Sequence, residues 1–162
     1  MGVDLLKVGI ADMKVATKEE GIITYALGSC IGICLYDQTS KIAGMIHIML
    51  PEPGGRGDVD NIAKYATTGI PELLKKMDAA GASRSRLVAK IAGGAKMFNM
   101  TNMKNIGDIG MRNAETVRKI LSQERIRLLK EDCGQDYART MTFFRETGEA
   151  KITSYGHEEK IL

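Results

Sequence analysis

Ile31-Gly32-Ile33-Cys34-Leu35-Tyr36 and Lys41-Ile42-Ala43-Gly44-Met45-Ile46-His47-Ile48-Met49-Leu50, split by Asp37-Gln38-Thr39-Ser40, form the stretch that decides the fold. Two apolar, β-rich runs flank four residues of turn-forming composition, which is a hairpin signal. Before them come two more β-rich runs, Leu5 to Val15 and Gly21 to Leu27, parted by the charged turn Lys18-Glu19-Glu20. After them the chain changes character at Pro51-Glu52-Pro53-Gly54-Gly55-Arg56-Gly57. Asp58 is a candidate N-cap, and Ile62, Tyr65, Ala66, Gly69, Leu73 and Leu74 recur at helical spacing to about Ala80. Pro71 is placed to break or restart that helix, and Gly81 to end it.

Leu87 to Ala92 reads as a buried strand closed by Gly93-Gly94, followed by a loop with Met97, Phe98, Met100 and Met103. Asp108 is placed to open a second helix whose apolar face is Ala114, Val117, Ile120 and Leu121. Ile126 to Glu131 reads as a strand, and Arg139 to Arg145 with Ala150 to Tyr155 as a hairpin around Glu146-Thr147-Gly148-Glu149. The order strands, helix, strand, helix, strands predicts an α+β layered sandwich (α/β in the broad sense). Its strands are mostly antiparallel, with the two main helices on one side. Residues 1–162 read as a single domain.

Composition excludes several function classes. The net charge is +3, spread along the chain, with no Trp, three Phe and five Tyr, which argues against a nucleic-acid module. No apolar run approaches the roughly 20 residues of a membrane span. Asp4, Lys7, Asp12 and Lys14 interrupt Met1 to Thr17, unlike a signal peptide. Three cysteines with no Cys-x-x-Cys pair argue against a disulfide framework and a zinc site, and set the expected location in a reducing cytoplasm. With two histidines and no ligand cluster, no metal or other cofactor is expected. Gly93-Gly94 lacks the spacing of a nucleotide fingerprint.

The chemistry-bearing stretch is Thr24-Tyr25-Ala26-Leu27-Gly28-Ser29-Cys30, then Gly32, with His47 on the next run. A turn centred between Gln38 and Thr39 puts Cys30 directly opposite His47, with Cβ atoms roughly 4.5–5.5 Å apart. A one-residue slip would put them on opposite faces. A free thiol has a pKa of about 8.5, so a neighbouring imidazole that takes its proton makes it a nucleophile. Gly28, Ser29 and Gly32 flank the thiol, where missing side chains admit a substrate carbonyl and amide N–H groups meet an oxyanion. Thr24 is the candidate to orient the base. His157 reads as solvated, Cys34 as packing and Cys133 as incidental. The ten methionines read as core filling, with an adaptable binding surface as the other option.

These residues resemble the CheD family of chemoreceptor glutamine deamidases. The resemblance runs through Leu27-Gly28-Ser29-Cys30, His47-Ile48-Met49-Leu50-Pro51, Lys64-Tyr65-Ala66, Lys90-Ile91-Ala92-Gly93-Gly94-Ala95, Asn105-Ile106-Gly107, Arg112-Asn113, Glu131-Asp132 and Ala138-Arg139. It implies a nucleophile at Cys30, a general base at His47 and a threonine completing the site at Thr24. It also implies a fold like that of deamidating bacterial toxins. The implied activity is deamidation of glutamines on the cytoplasmic helices of methyl-accepting chemoreceptors, with glutamate methyl ester hydrolysis in some members. The implied partner is a CheC-type phosphatase acting on CheY. Thr67 stands where many relatives have Asp, and Gly134-Gln135 where many have two glycines. Two other classes remain: a binding module that mainly regulates such a phosphatase, and a cysteine protease or transglutaminase.

Overall fold

The expected hairpin forms between β4 (Ile31–Asp37) and β5 (Ile42–Ile48), and every residue of both strands is buried. Its register differs from the expectation: Asp37 pairs with Ile42 and Gly32 with His47, so each β4 residue meets a partner two places later. Asp37 is the physical reason. Its carboxylate accepts from Arg86 Nε and Nη2 at 2.8 Å each, from Ser83 N at 2.8 Å and from Thr39 N at 3.1 Å. That capture makes Asp37 the last strand residue instead of the first turn residue. The loop becomes residues 38–41, with Lys41 at φ 56°. A displacement of two places preserves the side-chain face, which a displacement of one would reverse.

The computed structural model describes residues 3–55, 59–97 and 109–162. Around the hairpin a five-stranded sheet assembles in the order β2-β5-β4-β6-β7, with β2 (Asp12–Ala16), β6 (Val88–Gly93) and β7 (Arg127–Cys133). A second sheet has the order β1-β3-β8-β9-β10, with β1 (Leu5–Val8), β3 (Gly21–Leu27), β8 (Arg139–Phe144), β9 (Ala150–Thr153) and β10 (Lys160–Ile161). Among the described residues six of the eight strand pairings are antiparallel; β1 with β3 and β6 with β7 are parallel. The run Leu5 to Val15, expected as one piece, is two strands in different sheets. The chain switches at Gly9–Ala11, where Ala11 takes φ 55° and its amide donates to the His47 carbonyl at 2.9 Å.

Two helices, α1 (Ala66–Ala79) and α2 (Ile109–Gln123), cover the outer face of the hairpin sheet. Ile31, Ile33, Ile46 and Ile48 pack there against Leu73 of α1 and Val117 of α2, while Cys34 and Met45 face the second sheet, against Ile22 and Phe143. Fully burying one such aliphatic side chain contributes about 1.5–3 kcal/mol, so β4 and β5 are held from both faces. The result is the expected α+β layered arrangement, sheet on sheet on helices.

The first helix starts later than its apolar spacing predicts. Asn61 caps a short 3₁₀ turn, Ile62–Lys64, and Tyr65 is extended at φ −117°, ψ 142°. There it bridges to Leu50, so regular helix begins only at Ala66. Pro71 neither breaks nor restarts α1; its missing amide removes one helical hydrogen bond inside a continuous helix. Gly81 ends the helix as expected, at φ 106°, with its amide on Asp78 O and the Ala82 amide on Met77 O, both at 3.0 Å. Ala114, Val117, Ile120 and Leu121 form the buried face of α2. Asp58, Asp108 and the loop from Phe98 to Met103 lie outside the described residues. Among the described residues no helix is long and apolar enough to cross a membrane.

Candidate active site

Thr24, Cys30 and His47 come from three places in the fold: β3, the turn between β3 and β4, and β5. Thr24 and His47 are both fully buried. The Thr24 hydroxyl donates to the Val8 carbonyl at 2.9 Å and lies 2.8 Å from His47 Nδ1. A hydroxyl carries one proton, and the Val8 carbonyl can only accept. Thr24 Oγ1 therefore receives its bond from Nδ1–H, which leaves the lone pair of the neutral ring on Nε2. That Nε2 is buried and has no hydrogen-bond partner among the described residues. Burial lowers the His47 pKa to about 4, so the ring is neutral near pH 7. The arrangement is an oriented imidazole with a free basic nitrogen.

The thiol is placed differently from the expectation. Gly32, not Cys30, faces His47 across the ladder, which ends at Ile31 and Ile48 and leaves Cys30 one residue beyond it. The four-residue turn after Asp37 is the cause. Cys30 packs against the cluster between the sheets that holds Cys34 and Met45, the face to which His47 also points by strand alternation. Cys30 is half-buried and packs at the edge of the core between the sheets. Burial raises its thiol pKa, against the opposing pull of its own backbone amide. Both partners thus rest neutral. Gly32 is buried in β4 and, against the expectation, does not open to a substrate: a Cβ there would lie 3.1 Å from Leu27 Cδ1 and 3.3 Å from Met141 Sδ. A Cβ on Gly28 would lie 3.2 Å from Met97 Cγ.

The backbone around Cys30 is held on one side. The Gly28 carbonyl accepts from Ala95 N at 2.8 Å, the Cys30 carbonyl from Gly94 N at 2.8 Å, and the Ser29 carbonyl from Asn113 Nδ2 at 2.9 Å. In a trans peptide the next N–H points opposite to the carbonyl. The amides of Ser29 and Cys30 therefore point away from these partners; neither has a backbone acceptor among the described residues, and the Cys30 amide lies where it favours its own thiolate. Two adjacent N–H groups beside a thiol can receive an oxyanion. Gly93 makes this possible: at φ 120°, a Cβ would sit 2.1 Å from the Cys30 carbonyl oxygen. Arg139, buried beneath, binds the carbonyl of Gly134 at 2.9 Å and pairs with Asp132 at 2.9 Å.

Reading the sequence missed Asn113 and the Val8 carbonyl as parts of this site. Asn113 carried a signal, since it precedes Val117 by one helical turn on the buried stripe of α2 and is polar. A backbone carbonyl carries none. The remaining expectations fall as follows. Cys34 is buried in packing between the sheets, and burial pushes its thiol up. Cys133 is the last residue of β7, not a turn residue, with its thiol pushed up to about 12 by burial. His157 is exposed and stacks on Tyr137 with ring centroids 3.9 Å apart.

The family described as "CheD chemotactic sensory transduction" matches residues 49–154. A protein from Syntrophomonas wolfei subsp. wolfei, called "Probable chemoreceptor glutamine deamidase CheD", is 45% identical over 158 residues, 98% of each chain. A protein of the same name from Lachnoclostridium phytofermentans is 45% identical over 159 residues, 98% of this chain and 99% of its own. Another from Clostridium botulinum (strain Eklund 17B / Type B) is 46% identical over 151 residues, 93% of each. With the family match spanning well over half of it, and relatives aligned along nearly its whole length, this chain belongs to the CheD family.

Proposed function

We propose that this chain is a cysteine-dependent protein-glutamine deamidase, an amidohydrolase acting on chemoreceptors in bacterial chemotaxis. The observation that carries the reading is the chain Val8 O, Thr24 Oγ1, His47 Nδ1, which leaves Nε2 as a buried free base on the face that bears Cys30. Family membership supports the substrate class, since the relatives are named chemoreceptor glutamine deamidases.

In this mechanism Cys30 Sγ attacks the side-chain carboxamide of a receptor glutamine as His47 Nε2 takes the thiol proton. A C–S bond forms and the oxyanion is held by the Ser29 and Cys30 amides, with Gly28 giving the carbonyl its approach. The C–N bond then breaks, Nε2 returns the proton to nitrogen, and ammonia leaves a thioester. Water, deprotonated by the same Nε2, adds to that thioester. The C–S bond breaks, the thiol regains its proton and the product is glutamate. No cofactor enters. Methyl ester hydrolysis is the same sequence with methanol as the leaving group. The substrate is the cytoplasmic helical part of the receptor, the setting is the cytoplasm, residues 1–162 act as one domain, and a CheC-type phosphatase is the regulatory partner.

Mass spectrometry of a chemoreceptor cytoplasmic fragment, incubated with this protein or its Cys30→Ala variant, tests the proposal. Specific glutamines become glutamate, a gain of about 1 Da each, only with the unmodified protein. Deamidation by the Cys30→Ala protein would sink the mechanism. Binding of receptor or CheC-type phosphatase without turnover would favour a binding module, and a cleaved or cross-linked product another cysteine hydrolase.

A further inference from the structure

Asn113 makes two hydrogen bonds that together span the proposed site. Its Nδ2 donates to the Ser29 carbonyl and to the Met49 carbonyl, each at 2.9 Å. The side chain is fully buried on α2. Both partners are carbonyls, which only accept, so the nitrogen must be the atom facing them. Its two protons are thereby assigned, one to each carbonyl.

The location of these carbonyls gives the contact its meaning. The β4–β5 ladder ends with the pair Ile31 and Ile48. Ser29 immediately precedes Cys30, and Met49 is two residues beyond His47. Past Ile31 and Ile48 the strands no longer pair, yet the chemistry needs the two sides at a fixed separation. One planar amide from a third element occupies the position of the next rung and ties both chain segments to α2. The Asn113 Oδ1 is also buried with no partner among the described residues, so a buried acceptor is tolerated to keep both donors in place.

We propose that Asn113 is a positioning residue that sets the distance between the Cys30 turn and the His47 strand. This rests on the reading of Cys30 as nucleophile and His47 as base. Asn113 touches neither reacting atom; it acts through the two carbonyls. A displacement of about 1 Å at a reacting pair lowers rate by about 100-fold while leaving remote substrate contacts alone.

Two variants and one measurement on the unmodified protein test it. Asn113→Asp keeps the shape and sets acceptors against two carbonyls; Asn113→Ala removes the contact. With a chemoreceptor cytoplasmic fragment, kcat for ammonia release should fall about 10- to 100-fold while KM stays within about twofold. In the unmodified protein both Asn113 side-chain amide protons should exchange slowly with solvent, and their NMR signals should shift when Cys30 is carbamidomethylated. Folded variants with unchanged kcat, or fast-exchanging Asn113 protons indifferent to Cys30 modification, would overturn the inference. If the variants do not fold, the NMR result decides alone. A Cys30→Ala control separates the two layers: turnover without Cys30 removes the underlying reading, whereas a dead control beside fully active Asn113 variants removes only the positioning role.

Discussion

Thr24 Oγ1 and His47 Nδ1, 2.8 Å apart, join the two sheets at the candidate site, Thr24 on one and His47 on the other. The contact fixes the imidazole tautomer because the hydroxyl proton is already committed to the Val8 carbonyl.

Replacing Thr24 by Val should therefore lower kcat while barely changing shape. At metal sites, loss of the group that orients a ligating histidine costs about 10- to 100-fold in activity, and a fall of that order is expected here. Thr24→Ser should recover most of it, since the hydroxyl returns. Steady-state ammonia release from a receptor fragment measures both; equal activity of Thr24→Val and the unmodified protein would contradict the tautomer argument.

The pH dependence follows from the burial of His47, whose pKa stands at about 4 against an ordinary 6.5. The acid limb of kcat/KM should lie near pH 4, with His47 already a competent base at pH 6. Stability should follow the same ring. Above pH 6.5 it is neutral in folded and unfolded chains alike. Between about 6.5 and 4 the unfolded chain binds a proton that the folded chain refuses, so stability falls as pH drops through that window. Below about 4 this loss levels off. Denaturant midpoints from pH 7 to 4 should decline less steeply in His47→Gln.

Gly93→Ala should destabilise the protein and slow it. The backbone is left-handed there, and the new methyl would meet the Cys30 carbonyl oxygen. Strain of this kind costs about 1–3 kcal/mol. Moving that carbonyl also turns the Cys30 turn. A lowered urea midpoint together with a lower kcat is expected; a fall in stability alone would detach Gly93 from the site.

Asp37→Ala should destabilise by about 2–4 kcal/mol, because a buried acceptor of several hydrogen bonds is lost and the Ser83 amide is left unpaired. It should also lower activity at a distance, since Asp37 sets the position of the turn that registers Gly32 against His47. Chemical denaturation and ammonia release on the same samples read the two effects.

The parts of the fold legible in the sequence are those written in local periodicity. The β4–β5 hairpin, the apolar face of α2 and the Gly81 stop each follow from neighbours a few residues apart. The position of the turn after Asp37 was not legible, because the partners of its carboxylate, Ser83 and Arg86, lie 46 and 49 residues away. The switch between sheets at Gly9–Ala11 interrupts a run whose composition does not change. Cys30 and His47 could be brought to one face by parity alone, and the register error of two places left that face intact. Asn113 showed as part of the Arg112-Asn113 segment of the resemblance and as a polar residue on an apolar stripe, without a role, and Gln135 only as a residue where relatives carry glycine; it adopts φ 62°.

Burial of the resting pair has a consequence for survival of the proposed nucleophile under oxidative stress. Peroxides and disulfides attack thiolates, not thiols. A cysteine whose ionisation is opposed by burial, beside an imidazole that stays neutral to about pH 4, offers them little thiolate. In the proposed mechanism His47 Nε2 takes the thiol proton only as Sγ attacks an amide carbonyl, so the same seclusion that prepares the base would also leave the sulfur protonated between turnovers.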